Sequence, residues 1–383
     1  MKNDDQSRST ESTRHPITIS RRSLLSGFAV VAGGLGLAGC SAGTIVDNEG
    51  SGSSEKQPTD SNPTTVRIGT LQGPTGMGLV GLMDACGALK DLAAQNNVEL
   101  PENDNPADIA KLVNTYEFTL AGSADELTPQ LIQGDLDVLC VPANLAATLY
   151  QKTEGEVTVL CVNTLGVLDI VEAQDTIHDF SDLAGRTIYS AGRGSTPQFA
   201  LEYLLRENGI DPDKDVTIQW VSEHSECLAA LQSDPSIVCM LPQPFATSAI
   251  EQVKGARIAL DLTDVWDDTT AANGDNSQLI TGVAVARRSF VDEYPGAIDE
   301  LLDAYPSSVA FVNDNHAEAA KLIEAAGIVK AQIAEKAIPY CHIVCVTDSE
   351  MREALEGYLK TLYDADPQSV GGEMPSDDFY YEE

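Results

Sequence analysis

The sequence predicts an α/β fold of two similar lobes, each a mainly parallel β-sheet flanked by helices. Short apolar segments alternate with amphipathic segments from residue 66 onwards, a pattern typical of parallel sheets with helical crossovers. A strand, a glycine-rich turn and a helix follow one another at 66–94 and again at 187–208. The length of 383 residues also suits two domains.

The charge balance excludes one class of function. The chain has 23 basic and 59 acidic residues, a net charge of −36 and an isoelectric point near 4.2. Nucleic-acid binding requires a basic surface, so no nucleic-acid partner is expected. The excess acid is interpreted as solubility charge on an exported protein.

The N-terminal segment has the pattern of a signal peptide. The twin-arginine sequence S-R-R-S-L-L stands at 20–25, and an apolar stretch over 24–39 follows it. That stretch is shorter than the roughly 20 residues of a membrane span, so it predicts a cleaved leader over 1–39. Both twin-arginine and general secretory export are compatible with it.

The leader ends in L-A-G-C at 37–40, which resembles the lipobox of bacterial lipoproteins. This resemblance implies cleavage before Cys40, a lipid on its thiol, and anchoring to the extracytoplasmic face of the cell membrane. The following residues, 40–65, are rich in Gly, Ser, Asn, Asp and Pro. They predict a flexible tether.

In the first half, a strand at 66–71 leads into G-P-T-G-M-G at 73–78 and a helix over 79–94. A second motif, D-V-L-C-V-P-A-N, ends a buried strand at Pro142 and opens a helix. An apolar strand at 157–164 is expected to continue towards Ile170.

The second half repeats this order. A strand at 187–190 leads into G-R-G-S-T-P at 192–197 and a helix over 197–208, and a strand at 237–241 ends in P-Q-P. Ligands bind at the carboxyl ends of the strands in open parallel sheets. We therefore expect these four loops to line one cleft. The later segments predict strands at 257–262 and 280–287, helices at 292–312, 317–326, 331–337 and 348–362, an extended segment at 341–346, and a docked or frayed tail at 367–383.

Seven cysteines remain after Cys40, an odd number that cannot all pair. Cys140, Cys161 and Cys239 lie in apolar runs and are interpreted as buried small hydrophobic residues. Either a Cys341–Cys345 or a Cys227–Cys239 disulfide is compatible with the sequence. No second Cys/His cluster accompanies C-H-I-V-C at 341–345, so no metal site is predicted.

Taken in order, these motifs resemble the solute-binding lipoproteins of ABC transporters, in the group that binds nitrate, sulfonates, taurine and thiamine precursors. The resemblance covers about residues 66–320 and also includes T-L-G-V-L, D-L-A-G-R-T-I-Y and N-G-I-D-P. It implies a type II periplasmic-binding fold, a monomer without catalysis or cofactor, and partnership with ABC permease and ATPase subunits. The implied segments are a leader (1–39), a tether (40–65), lobe one (66–167), lobe two (168–261) and a return to lobe one (262–383).

The resemblance also implies ligand contacts from both lobes. Small residues and hydrogen-bonding side chains at the loops would hold the solute. The implied contact residues are Gly73, Pro74, Thr75, Gly76, Pro142, Ala143, Asn144, Thr164, Arg193, Gly194, Ser195, Thr196 and Gln243. Arg193 could pair with an anionic solute or face solvent, and Trp266 could close over the cleft or pack at the hinge.

The expected function is capture of a small polar or anionic solute and its delivery to an ABC permease. The same fold also hosts dehydratase-like and biosynthetic enzymes. However, the expected cleft has no acid–base pair or His–nucleophile arrangement, so the protein is not expected to be an enzyme. A lipoprotein that senses its ligand and signals to a membrane partner is compatible with the same residues.

Overall fold

A computed structural model describes residues 63–100, 105–274 and 277–382. They belong to one compact unit, Gln57–Glu383. The expected leader, Cys40 and most of the tether lie outside the described residues. Within the described ranges, no helix has the length and apolarity needed to span a membrane.

Sheet one has six strands in the order β11-β4-β10-β3-β1-β2. Its strands are β1 (Thr65–Leu71), β2 (Thr115–Ala121), β3 (Val138–Pro142), β4 (Val157–Leu165), β10 (Ile280–Arg287) and β11 (Ile343–Val346). β1 is parallel to β2 and β3, and β10 runs antiparallel between β3 and β4. β11 is antiparallel to β4 at the edge, so four of the six strands share one direction.

Sheet two has five strands in the order β7-β6-β8-β5-β9. Its strands are β5 (Leu168–Glu172), β6 (Thr187–Ser190), β7 (Thr217–Trp220), β8 (Val238–Pro242) and β9 (Arg257–Asp261). β6 is parallel to β7 and β8, whereas β5 is antiparallel to both of its neighbours. The predicted fold class, two mainly parallel sheets with flanking helices, is therefore confirmed.

Helices cover both sheets. The α-helices of the described residues are α1 (Pro74–Met77), α2 (Val80–Ala85), α3 (Ala88–Asn96), α4 (Ala124–Gln133), α5 (Ala143–Lys152), α6 (Thr196–Glu207), α7 (His224–Ser233), α8 (Phe245–Gln252), α9 (Leu262–Asn273), α10 (Arg288–Glu293), α11 (Pro295–Asp314), α12 (His316–Ala325), α13 (Ala331–Ala337) and α14 (Asp348–Ala365). Short 3₁₀ turns stand at Phe180–Leu183, Ile338–Tyr340, Pro367–Val370 and Asp377–Phe379.

Four local predictions were wrong or incomplete. The single helix expected over 292–312 begins within α10 and continues into α11, with a break at Tyr294. The single helix expected over 79–94 is divided into α2 and α3 at Gly87, whose φ of +83° suits glycine and interrupts a helix. The strand expected to run from 157 towards Ile170 is two strands, β4 and β5, which belong to different sheets. Helix α9 was not predicted, and it begins where the Asp261 carboxylate accepts a hydrogen bond from the Thr263 backbone N–H.

Trp266 packs inside the protein and does not close over a cleft. Its side chain is fully buried between the rings of Tyr203 on α6 and Tyr358 on α14. The indole Nε1 donates to the Ser277 carbonyl at 2.9 Å, which satisfies its only polar group. Trp266 therefore joins α6, α9 and α14.

The C-terminal tail is docked rather than frayed. Phe379 is fully buried and meets the Tyr150 ring edge-on, with 5.2 Å between centroids. The Tyr381 backbone N–H donates to the Val159 carbonyl at 2.9 Å. Burial of a large aromatic ring contributes about 2–3 kcal/mol, enough to hold a short tail in place.

Candidate functional site

The strand ends of the two sheets face each other. In sheet one, the carboxyl ends of β1, β3 and β4 lie at the same edge as the amino ends of β10 and β11. Sheet two offers the carboxyl ends of β6, β7 and β8, together with the amino end of β5. Several polar side-chain contacts join the two sides, and two of them follow. Thr196 Oγ1 donates to Asn144 Oδ1 at 3.3 Å, and Lys336 Nζ lies 2.7 Å from Glu251 Oε1.

On the sheet-one side, Thr75 occupies the turn at the end of β1. The predicted residues 73–76 are all buried, and the hydroxyl of Thr75 has no hydrogen-bond partner in the described protein. A Cβ added to Gly282 would lie 2.5 Å from Thr75 Cγ2 and 2.6 Å from Asn163 Oδ1. Thr164 Oγ1 donates to the same Asn163 oxygen at 3.1 Å. The structure thus brings Thr75 and Thr164 together around Asn163, with Gly282 leaving the space between strands.

Asn144 and Thr196 meet each other across the two sides. Both are fully buried at the first turn of α5 and α6, respectively. Asn144 Nδ2 donates to the Ser369 carbonyl at 2.9 Å, and the Tyr358 hydroxyl donates to Thr196 Oγ1 at 3.3 Å. These side chains are therefore engaged with the chain itself. Pro142 is half-buried and Ala143 is fully buried beside Asn144.

The second glycine-rich turn satisfies most of its own polar groups. Ser195 Oγ donates to the Gly192 carbonyl at 2.8 Å, and Gly194 N donates to Gln198 Oε1 at 2.8 Å. Gly192 and Gly194 have φ values of +81° and +79°, where other residues are strained. Arg193 and Gly194 are exposed, whereas Ser195 is half-buried.

Gln243 is buried just beyond the end of β8, and its orientation is fixed. Its Oε1 accepts hydrogen bonds from the backbone and the hydroxyl of Thr247, at 3.3 and 2.7 Å. Its Nε2 therefore points towards Asp169 and donates to Oδ2 at 2.8 Å. Burial, together with the nearby Asp261 carboxylate, raises the pKa of Asp169 to about 8.

Sequence reasoning missed Asp169, Asn163 and Gly282. Asp169 is an acid inside the apolar segment L-D-I-V, immediately after the chain crosses between sheets. A single acid within an apolar strand was the sequence feature that could have identified Asp169 as a candidate site residue. Asn163 and Gly282 lie on β4 and β10, and only the pairing of these strands brings them beside Thr75.

Elsewhere in the described ranges, the other candidate sites contain none of the residues predicted to contact a solute. A depression of about 460 Å³ is lined by residues 85–86, 105, 109–112 and 114–116, and it borders the segment 101–104 that is not described. Across the three described ranges, no group of three His, Cys, Asp or Glu side chains is placed to hold a metal ion. Cys140, Cys161 and Cys239 are buried as predicted, and every described cysteine is a free thiol.

The sequence profile of the NMT1-like family matches residues 107–327, more than half of the chain. The protein belongs to the NMT1-like family. A search of curated protein sequences finds no match for this NMT1-like protein.

Solved structures match the fold over most of the chain. An ABC transporter protein from Parabacteroides distasonis is 21% identical, with a TM-score of 0.62 over 83% of this chain and 99% of that one. The ligand-binding component of an ABC-type import system from Staphylococcus aureus is 15% identical, with a TM-score of 0.61 over 83% and 97%. The periplasmic aliphatic sulphonate-binding protein SsuA from Escherichia coli is 16% identical, with a TM-score of 0.61 over 84% and 93%. This NMT1-like protein therefore has the two-lobed fold that its sequence resemblance predicts.

Proposed function

We propose that this protein is the solute-binding component of an ABC importer and works on the extracytoplasmic face of the membrane. The main observation in support is that polar loops from two separate sheets converge at one pair of facing edges. Such an arrangement holds a small solute between lobes, and the solute then stabilises the closed state through the contacts it makes there. The matched ABC transporter and ABC-type import structures support this role over the enzyme alternative.

The proposed lobes are 66–167 with 262–383, and 168–261. The strands of sheet two lie between Leu168 and Asp261, which supports these limits. From the predicted contact residues, Thr75, Thr164, Ser195 and Gln243 are the proposed hydrogen-bonding groups of the site. Asn144 and Thr196 are proposed to hold the lobes together beside the solute, since their side chains bond to each other.

The strongest single candidate for a solute contact is the Thr75 hydroxyl. It is 95% buried at the facing edge and lacks a partner within the described protein, and leaving such a group unsatisfied costs about 1–3 kcal/mol. A bound solute would supply the missing hydrogen bond. In the solute-free protein an ordered water would supply this hydrogen bond, and the solute would displace that water on binding.

A thermal-shift screen of the purified protein tests the proposal. Sulfonates, nitrate, phosphonates, thiamine precursors and nucleobases form the panel, and a true ligand should raise the melting temperature saturably. Thr75→Val should weaken binding of the selected compound about fivefold or more through loss of one hydrogen bond. Thr128→Val is the matched control, because its hydroxyl bonds within α4 to the Ala124 carbonyl. Absence of any saturable shift across the panel, or turnover of a compound, would contradict the proposal.

The remaining parts of the proposal concern attachment and partners. Lipidation at Cys40, a 40–65 tether and a monomeric protein that delivers solute to a permease are proposed from the sequence motifs. Cys40→Ser should release the protein from the membrane fraction, and retention of the variant would contradict the lipid anchor. Genes for a permease and an ATPase beside this gene would favour transport over ligand sensing.

A further inference from the structure

Three acidic side chains are buried among the described residues, and two of them are neutralised by arginine. Asp137, on the amino side of β3, lies within 2.7 Å of guanidinium nitrogens from both Arg67 and Arg287. Glu172, at the end of β5, accepts from Arg257 at 2.6 Å. This is the usual solution, because a buried charge without a partner is strongly unfavourable.

Asp169 is the exception. It is 95% buried, and across the described ranges no arginine, lysine or histidine forms an ion pair with it. Its one hydrogen-bond donor is the neutral amide of Gln243. The titratable groups that face it are Asp261, directly opposite in the β5–β9 register, and the Cys341 thiol ahead of β11. Both would be neutral or negative, so neither supplies a counter-charge.

The position of Asp169 connects this missing counter-charge to the ligand site. It is the second residue of β5, whose amino end lies at the edge of sheet two that faces sheet one. Gln243, a predicted contact residue, touches it from sheet two. On the sheet-one side, the Cys341 thiol lies 3.9 Å from Met77 Sδ on α1 and is close enough to interact electrostatically with Asp169. Asp169 therefore lies at the edge of sheet two that faces sheet one, within electrostatic reach of a residue from the sheet-one side.

We propose that Asp169 binds a nitrogen-centred cationic group of the solute, such as an ammonium, amidinium or guanidinium. This inference rests on the proposed solute-binding function and names the class of its substrate. A bound cation would take the place that Arg67 and Arg257 take beside the other buried acids. Gln243 holds Oδ2 of the carboxylate, which leaves Oδ1 for an N–H donor of the solute.

The local charges therefore argue against a plain anion such as nitrate or a sulfonate. Once Asp169 has released its proton, an anion placed beside it would meet two carboxylates, because Asp169 and Asp261 lie opposite each other in the β5–β9 register. The cation of the predicted set, Arg193, is exposed at the rim of the second glycine-rich turn.

Matched cation–anion pairs of similar size provide the test on the full chain. The pairs are guanidinium and nitrate, putrescine and succinate, and benzamidine and benzoate, at millimolar concentration in a thermal-shift assay and by calorimetry. At least one cation should bind saturably, and its Kd should improve between pH 6.5 and 8.5 as the acid releases its proton, by at most about tenfold per pH unit. Asp169→Asn should weaken that binding about tenfold or more.

Two further variants make the result specific. Asp268→Asn removes an equal charge from an exposed position on α9 and should leave the affinity unchanged. Asp261→Asn removes the neighbouring negative charge, so the pH at which cation binding becomes strong should shift downwards. This variant tests the site even if Asp169→Asn is poorly folded by circular dichroism.

Each other outcome overturns the inference in a recognisable way. Binding of anions alone, cation binding that survives Asp169→Asn in a folded protein, or affinity that falls as pH rises would each contradict it. If sulfonates or nitrate bind in the broad screen while no cation does, the solute-binding function stands and this inference fails. If no compound of either screen binds, both fail.

Discussion

Replacing Asp169 with asparagine should raise the free energy of unfolding at neutral and alkaline pH, with the smallest effect near pH 4. The pKa of Asp169 in the folded protein is about 8, raised by burial and by Asp261. In the unfolded chain an aspartate has a pKa of about 3.9. Between these values the folded protein keeps a proton that the unfolded chain has released, so wild-type stability falls as pH rises. Asparagine does not titrate, so the variant lacks this loss of stability with rising pH.

The size of the effect follows from the same two values. One pKa unit corresponds to about 1.4 kcal/mol, and the Asp169 proton is held over most of the interval between pH 6 and 8. The stability advantage of Asp169→Asn should therefore grow by about 2 kcal/mol across that interval. Loss of the hydrogen bond with Gln243 offsets part of the absolute gain, by about 1 kcal/mol, but it does not change with pH.

Urea unfolding at pH 5, 6, 7 and 8, followed by far-ultraviolet circular dichroism, measures the effect. Asp268→Asn is the control. The difference between its free energy of unfolding and that of the wild type should not grow between pH 6 and 8. A stability difference for Asp169→Asn that stays constant from pH 6 to 8 would refute the reasoning. It would mean that the carboxyl group is ionised throughout, and so that solvent or a cation reaches it in the free protein.

Three further changes test the fold and the site. Asp137→Ala should lower the free energy of unfolding by about 3–5 kcal/mol, because it leaves two arginines without their shared buried carboxylate. Gly282→Ala should cost about 1–3 kcal/mol and weaken solute binding, because the added methyl would lie 2.5 Å from Thr75 Cγ2. Phe379→Ala should cost about 3–5 kcal/mol through the cavity it leaves under the docked tail. Urea unfolding measures all three, and calorimetry with a ligand from the screens measures binding by Gly282→Ala.

Two matched substitutions serve as controls for nonspecific destabilisation. Gly357→Ala adds the same methyl group within α14, 3.8 Å from the nearest atom, and should stabilise the protein by about 0.5–1 kcal/mol. Tyr340→Ala removes a ring that is 49% exposed and should change stability by less than about 1 kcal/mol. If Phe379→Ala costs no more than Tyr340→Ala, the tail is not held by its buried ring.

Many of the individual elements were predictable because their signals are local. Helix α4 has Ser123 and Glu126 as a reciprocal capping box and ends at Gly134 in the left-handed region, so both of its ends are encoded by adjacent residues. The 187–190 and 280–287 strands were likewise predicted without error, since each is a short segment in which β-branched residues recur. In each case the deciding residues lie within a few positions of one another.

Errors occurred where a distant contact decided the structure. The apolar run from 157 to 170 reads as one strand, but β4 is paired with β10 in sheet one and β5 with β8 in sheet two. Periodicity cannot show which sheet receives a strand. Helix α9 carries acids on its exposed side, and its place is set by Trp266, whose aromatic partners on α6 and α14 are remote in sequence.

The sequence by itself determined the two-lobed α/β fold, the family resemblance, and the loops that end the strands, because alternation, glycine and proline act within one element. It also placed Thr75 and Gln243 just after strand ends. Only the tertiary structure decided that Asn144 bonds to Thr196 and that Asp169 faces Asp261 with no arginine from the described ranges paired to it. Those facts depend on strand register and on the approach of two sheets, which bring together residues far apart in the chain. The charge that a solute would meet is a property of that approach, and so it was not available from the order of residues.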